Sequence, residues 1–243
     1  MKKKVLTVAL VVALIAIMVS GTLAYFTDSD EVANTFTIGS VKIEIYENDE
    51  ATTSDTISFG KLSPIVNTTA PSDDANYKNK VVDVKNTGAN DAYIRTHIAV
   101  PTALIDYLQL DVTTDGWAYN GTLAGSSTAT VNGVAYTVYT YDHVAAVAPN
   151  GFTSGLLQGV YLKSNVDMEE DASGNLVFIL RDGNGNKIAS SGFVAHTKNN
   201  DGSYASATIN ILIAAQAIQT EGFTSGATAA LNSGFGTNTN PWQ

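Results

Sequence analysis

Apolar and polar residues alternate with period two along much of the chain, which is the pattern of strands with one buried face. Val41, Ile43 and Ile45 alternate with Lys42, Glu44 and Tyr46. Val82 and Val84 share a face, and Asp83 and Lys85 share the other. Between Ala92 and Val100, Ile94, Ile98 and Val100 fall together, with Arg95 and His97 opposite them. Near the C-terminal end Ala207, Ile209, Ile211 and Ile213 align, while Ser206, Thr208 and Asn210 face away. Leu176–Arg181 is a short, nearly continuous apolar run suited to a buried strand. Tyr136, Tyr139 and Tyr141 alternate imperfectly, so at least one faces each side of its strand.

Turn chemistry separates these runs. Asn132-Gly133 between two alternating segments predicts a tight hairpin with positive φ values. Asp182-Gly183-Asn184-Gly185-Asn186 reverses the chain after Leu176–Arg181, and residues 86–90 link two strands. Residues 101–110 and 224–233 predict short helices in connections. The expected fold is all-β, a single jelly-roll-like antiparallel β-sandwich over residues 41–243, with 101–160 as an elaborated insertion.

The N-terminus departs from this pattern. Lys2, Lys3 and Lys4 precede an apolar run from Val5 to Val19, broken only by Thr7. A spanning helix needs about 20 apolar residues, so the run reads as the core of a signal peptide. Thr22 and Ala24 are small residues at the −3 and −1 positions of a cleavage site, placing the cut between Ala24 and Tyr25. Residues 1–24 are the expected signal helix. An uncleaved anchor, lengthened by Leu23–Phe26, is the alternative.

Residues 25–40 form an extended segment ahead of the first clear strand. Val32, Asn34, Phe36 and Ile38 alternate with Ala33, Thr35 and Thr37, and Gly39-Ser40 offers a hinge before Val41. Such a strand pairs either with its own domain or with a neighbour's sheet. Burying Val32, Phe36 and Ile38 gives roughly 1.5–3 kcal/mol each. Association costs on the order of 4–15 kcal/mol, so assembly requires most of the strand to be buried.

Composition narrows the chemistry. The chain of 243 residues carries 13 Lys+Arg against 23 Asp+Glu and a net charge of −10, and cleavage removes three lysines more. That balance opposes nucleic-acid binding. It also predicts that acid or salt favours self-association. The absence of cysteine excludes disulfides, thiolate metal sites and a cysteine nucleophile. His97, His143 and His196 are far apart in sequence, and neither H-E-x-x-H nor G-x-S-x-G occurs. Asp182–Asn186 resembles the start of a calcium loop, but the twelfth position is Phe193 and a hairpin explains it better. Asp167, Glu169, Glu170 and Asp171 read as a solvated acidic loop. No catalytic residue, metal or cofactor is expected.

Several stretches together resemble one family. These are Gly21-Thr22-Leu23-Ala24-Tyr25-Phe26, Asn34-Thr35-Phe36-Thr37-Ile38-Gly39, residues 84–100 and residues 211–223. They are similar to the TasA and camelysin (CalY) proteins of Gram-positive bacteria, over about a third of the chain. The resemblance implies processing by a SipW-like signal peptidase, contact with the membrane only before cleavage, and secretion to the cell surface or biofilm matrix. It further implies self-association into fibres in which an N-terminal strand completes the next subunit's sheet. Camelysin-type peptidase activity is the distant alternative, and a monomeric secreted binding module with the same fold is the nearer one.

Overall fold

The computed structural model describes residues 27–30, 41–51, 56–59, 62–120, 127–237 and 240–242. The strands in chain order begin with β1 (Thr27–Asp30), β2 (Ile43–Glu47), β3 (Glu50–Ala51), β4 (Thr56–Phe59), β5 (Lys78–Asn86) and β6 (Ala92–Pro101). There follow β7 (Leu108–Val112), β8 (Trp117–Tyr119), β9 (Ser127–Val131), β10 (Val134–His143) and β11 (Leu157–Leu162). The chain continues through β12 (Val166–Glu170), β13 (Leu176–Arg181), β14 (Lys187–Lys198), β15 (Tyr204–Ser206) and β16 (Ile209–Gln219). One α-helix among the described residues, α1 (Ala227–Phe235), follows β16.

The protein is an all-β, antiparallel sandwich. A seven-stranded sheet carries β16, β6 and β10 at its centre, with β1 and β4 along the outer side of β16 and β8 and β9 along the outer side of β10. A five-stranded sheet in the order β3-β2-β5-β11-β7 faces it. Alternation decides which side chains meet between them. Ile94, Ile98, Val100, Ile211 and Ile213 from one sheet bury against Ile43, Ile45, Val82, Val84, Leu157 and Val160 from the other. Full burial of such side chains contributes roughly 1.5–3 kcal/mol each, and this layer is the main source of stability in a chain without disulfides.

The outer face of the seven-stranded sheet is also covered, by α1 and the C-terminal residues. Ile218 packs with Ala227, Ala230 and Leu231, and Trp242 with Ala99, Tyr136, Val138 and Leu212. This explains why β16 is buried on both faces from Ile211 to Gln219. A third, four-stranded sheet, in the order β12-β13-β14-β15, joins the same core through Val166, Phe178 and Ala195.

The turns follow their residues. Asn132 (φ 51°) and Gly133 (φ 80°) make the two-residue hairpin between β9 and β10. Asp182 Oδ1 accepts hydrogen bonds from the amides of Asn184 and Asn186, so the carboxylate shapes the β13–β14 reversal. Residues 101–110 differ from the expected helix: only Thr102–Leu104 make a 3-10 turn, and β7 begins at Leu108. The alternation of Leu108, Leu110 and Val112 runs past residue 110 and selects a strand. The stretch 101–160 is woven into both sheets through β7, β8, β9, β10 and β11, and the sheet outside the sandwich comes from residues 166–206.

Candidate functional site

The five-stranded sheet ends at β7. Its inner side pairs with β11 from Leu108↔Leu162 to Val112↔Leu157, across a bulge between Leu157 and Gly159. Glycine at 159 makes room for Tyr77: a Cβ there would collide with the Tyr77 ring, whose hydroxyl donates to Asp111 Oδ2 at 2.7 Å. Lys163 N–H donates to the Tyr107 carbonyl and Thr113 N–H to that of Leu156, so the odd-numbered residues bond towards β11. By antiparallel alternation Leu108, Leu110 and Val112 turn their main-chain groups outward. No described strand pairs with that side. One outward group is capped locally, where the Gln109 side-chain amide donates to the Leu110 carbonyl at 3.0 Å.

Beside this free edge the two sheets diverge around an open cavity of about 380 Å³. Leu108, Leu110 and Val112 form one wall, and Tyr119, Tyr139 and Tyr141 the other. Trp117 holds the Tyr119 end in place: its Nε1–H donates to the Ser154 carbonyl at 2.8 Å and its ring meets His143 edge-on. Burial, assisted by Tyr119 and Tyr139, pushes the Tyr141 hydroxyl up to about 12. Burial also raises Tyr139. Tyr139 and Tyr141 are therefore uncharged at neutral pH. An exposed ladder of main-chain donors and acceptors over a row of alternate apolar side chains is the geometry for adding an extended peptide strand.

The residues singled out in the sequence at the processing and donor segment all lie outside the described residues: Ala24, Tyr25, Val32, Asn34, Phe36, Ile38, Gly39 and Ser40. So does the expected signal helix, residues 1–24. Within residues 25–40, Thr27–Asp30 is described, and it pairs with its own chain along β16 from Thr27↔Ile218 to Asp30↔Ala215. β4 continues the same line further along β16, from Leu212↔Thr56 to Ile209↔Phe59. Thus β1 and β4 share one edge position at the opposite side of the sandwich from β7.

The histidines serve separate surroundings. His97 is buried on the outer face of β6, between Thr140 Oγ1 at 3.0 Å and Gln216 Oε1 at 3.2 Å. His143 Nδ1 meets the Ala145 carbonyl at 2.8 Å, and His196 Nδ1 meets Ser206 Oγ at 3.1 Å. No group of three His, Asp or Glu among the described residues is placed to hold a metal ion. The acidic run at 167–171 is mostly strand rather than loop: Asp167 pairs with Arg181, Glu169 with Lys187 and Glu170 with Lys198. Asp182 spends its carboxylate on the turn amides and Asn186 Nδ2.

Sequence reasoning missed the β7 edge, because residues 101–110 also satisfy a helical spacing. The signal that was there is the i, i+2 series Leu108, Leu110, Val112. Among the described residues no helix is long and apolar enough to cross a membrane. Neither a protein-family model, nor a curated protein, nor a solved structure matches the chain.

Proposed function

We propose that the protein is an exported structural subunit that self-associates by strand addition. Residues 32–38 of one copy line the free edge of β7 in the next, with Val32, Phe36 and Ile38 over the aromatic groove. The observation that carries this reading is the unpaired outer side of β7 beside a cavity walled by apolar and tyrosine side chains. The signal-like N-terminus and the resemblance to TasA and camelysin proteins support export and a surface or matrix location.

The described strand directly ahead of the proposed donor segment is short. β1 is the tetrapeptide Thr-Asp-Ser-Asp, without an apolar side chain, and it occupies four register positions on β16. Each ladder bond contributes a net 0.5–1.5 kcal/mol on the order of magnitude of protein hydrogen bonds. Burying Val32, Phe36 and Ile38 against a neighbour, at roughly 1.5–3 kcal/mol each, offsets that loss, and the ladder bonds made to β7 have to cover the cost of association.

Electron microscopy and sedimentation of residues 25–243 test the proposal against two variants. One lacks residues 25–38, and the other is Leu110→Pro, which removes an outward N–H of β7 and trims an apolar side chain from the groove wall. Residues 25–243 should form fibres, and both variants should remain folded monomers by circular dichroism. Fibres from the truncated chain, or a strictly monomeric intact chain, would overturn the reading; the second result would favour a monomeric binding module.

A further inference from the structure

The aromatic wall of the groove contains two tyrosine rings that neighbour each other across strands. Tyr119 on β8 lies directly across from Tyr141 on β10, with ring centroids 5.2 Å apart and planes inclined by 49°. Asn120 N–H donates to the Thr140 carbonyl at 2.9 Å, which makes the adjacent Tyr119–Tyr141 position a non-hydrogen-bonded pair. Side chains facing each other at such positions approach most closely. Tyr119 is 54% exposed, so an external oxidant has access to it, and both rings border the open cavity.

We infer that Tyr119 and Tyr141 are a site of oxidative cross-linking, forming a dityrosine staple between β8 and β10. The oxidant is hydrogen peroxide acting through a haem peroxidase. Each phenol gives up one electron and its hydroxyl proton, and the two phenoxyl radicals join through the ring carbons next to the oxygens. The hydrogens displaced from those carbons restore the two hydroxyls. One peroxide is reduced to two waters, and the protein loses two hydrogen atoms in all. The link closes a loop that contains β9 and its hairpin, and so restricts the unfolded chain as a disulfide would. In a chain with no cysteine it is a covalent staple that the residues present can form.

A second close pair of tyrosines among the described residues is poorly disposed for the same reaction. Tyr77 and Tyr161 stand 6.0 Å apart, and Tyr77 is fixed by its bond to Asp111 and by packing on Gly159. The inference does not depend on fibre formation, since both partners belong to one chain.

The test treats dilute, monomeric residues 25–243 with peroxide and a haem peroxidase. The expected product is a monomer lighter by two hydrogen atoms, with dityrosine fluorescence and a proteolytic fragment joining residues 119 and 141. Its midpoint of thermal unfolding should move up. Tyr119→Phe, folded by circular dichroism, should lose the fluorescence on the monomer, whereas Tyr161→Phe should keep it. Linkage only between molecules, linkage through Tyr77 and Tyr161, or no linkage in the folded monomer would each overturn the assignment.

Discussion

Arg95 and Asp142 meet with both side chains fully buried, whereas Asp167 and Arg181 meet with 53% and 36% of theirs exposed. Both are cross-strand pairs in antiparallel sheets with similar N–O distances, 2.6 and 2.7 Å. The difference lies in what covers the face. α1 and the C-terminal residues close over Arg95, and its guanidinium also donates to Asn232 Oδ1 at 2.7 Å and reaches the Gly236 carbonyl at 3.4 Å. Asp142 accepts from Asn120 Nδ2 as well. The four-stranded sheet instead leaves its pairs in solvent, where water competes for each charge. A buried pair is weak evidence of net stability, because desolvation offsets the attraction, but here it fixes where the helix sits. Exposed pairs do neither to any large extent.

Removing one member of the buried pair should have the largest effect. Asp142→Ala leaves Arg95 charged and enclosed, and a loss of about 3–5 kcal/mol in unfolding free energy is expected. Urea denaturation followed by circular dichroism measures it. Asn232→Ala should cost less while loosening α1, visible as faster amide exchange in Ala227–Phe235. A loss from Asp142→Ala no greater than that of an exposed pair would erase the distinction between the two sites.

His97 tests the same covered face with protons. Burial drives its pKa down to about 4, with Arg95 adding to the effect and Gln216 and Asp142 opposing it. The unfolded imidazole titrates near 6.5, so the folded state resists protonation. Stability is therefore complete above pH 6.5 and falls as the pH drops towards 4, by about 3 kcal/mol in total. Denaturation at a series of pH values should show that slope, and His97→Gln should flatten it. If both proteins share one pH profile, the covered face is wetter than its geometry indicates. The acidic net charge acts in the other direction on association, so assembly in mild acid is read on protein shown by circular dichroism to be folded at the same pH.

These features differ in how legible they are in sequence. Strand alternation put Ile94, Ile98 and Val100 on one face and Arg95 and His97 on the other, as they are found. What alternation cannot convey is that the second face is covered too. That depends on α1 and Trp242, more than a hundred residues away, and turns an apparently solvated Arg95 into a buried ion. The partner Asp142 sits 47 residues from Arg95 and carries no local mark. Likewise Asn132-Gly133 specified its hairpin locally, because positive φ is a property of two residues. The β7 edge was illegible because a free strand side is defined by what fails to pair with it, and pairing is non-local. The tyrosine wall was half legible: Tyr136 does face away from Tyr139 and Tyr141, but Tyr119 joins them only through the β8–β10 register.

Asp83 gives a smaller, opposite pH effect on the other sheet. It lies on β5 across from Tyr46, and burial, with Asp49 adding to it, raises its carboxyl to about 6. Its ordinary value is lower, so the folded state favours the protonated form. That contribution is present in full at low pH and is lost as the pH rises through about 6. Asp83→Asn should be more stable than the parent near pH 7 and should lack the decline. Because the group is only half-buried, its slope should be shallower than that of His97, and a steeper one would reverse the ranking of the two faces.

The smallest effect is expected at Lys187 and Glu169, which meet at 2.9 Å with 41% and 45% of their side chains exposed. A double-mutant cycle with Lys187→Ala and Glu169→Ala should give a coupling of about 0.2–1 kcal/mol. It should shrink further in molar salt, where the screening length is about 3 Å. Lys187 lies on β14 and Glu169 on β12, so the bond reaches across the one intervening strand, β13. A coupling well above that range would mean that the exposed pairs act as a connected network across the sheet, with Asp167–Arg181 and Glu170–Lys198. The contrast would then lie in connectivity rather than burial, and truncating Arg181 should weaken the Lys187–Glu169 coupling. If the coupling is small and unchanged by Arg181→Ala, burial alone separates the two sites.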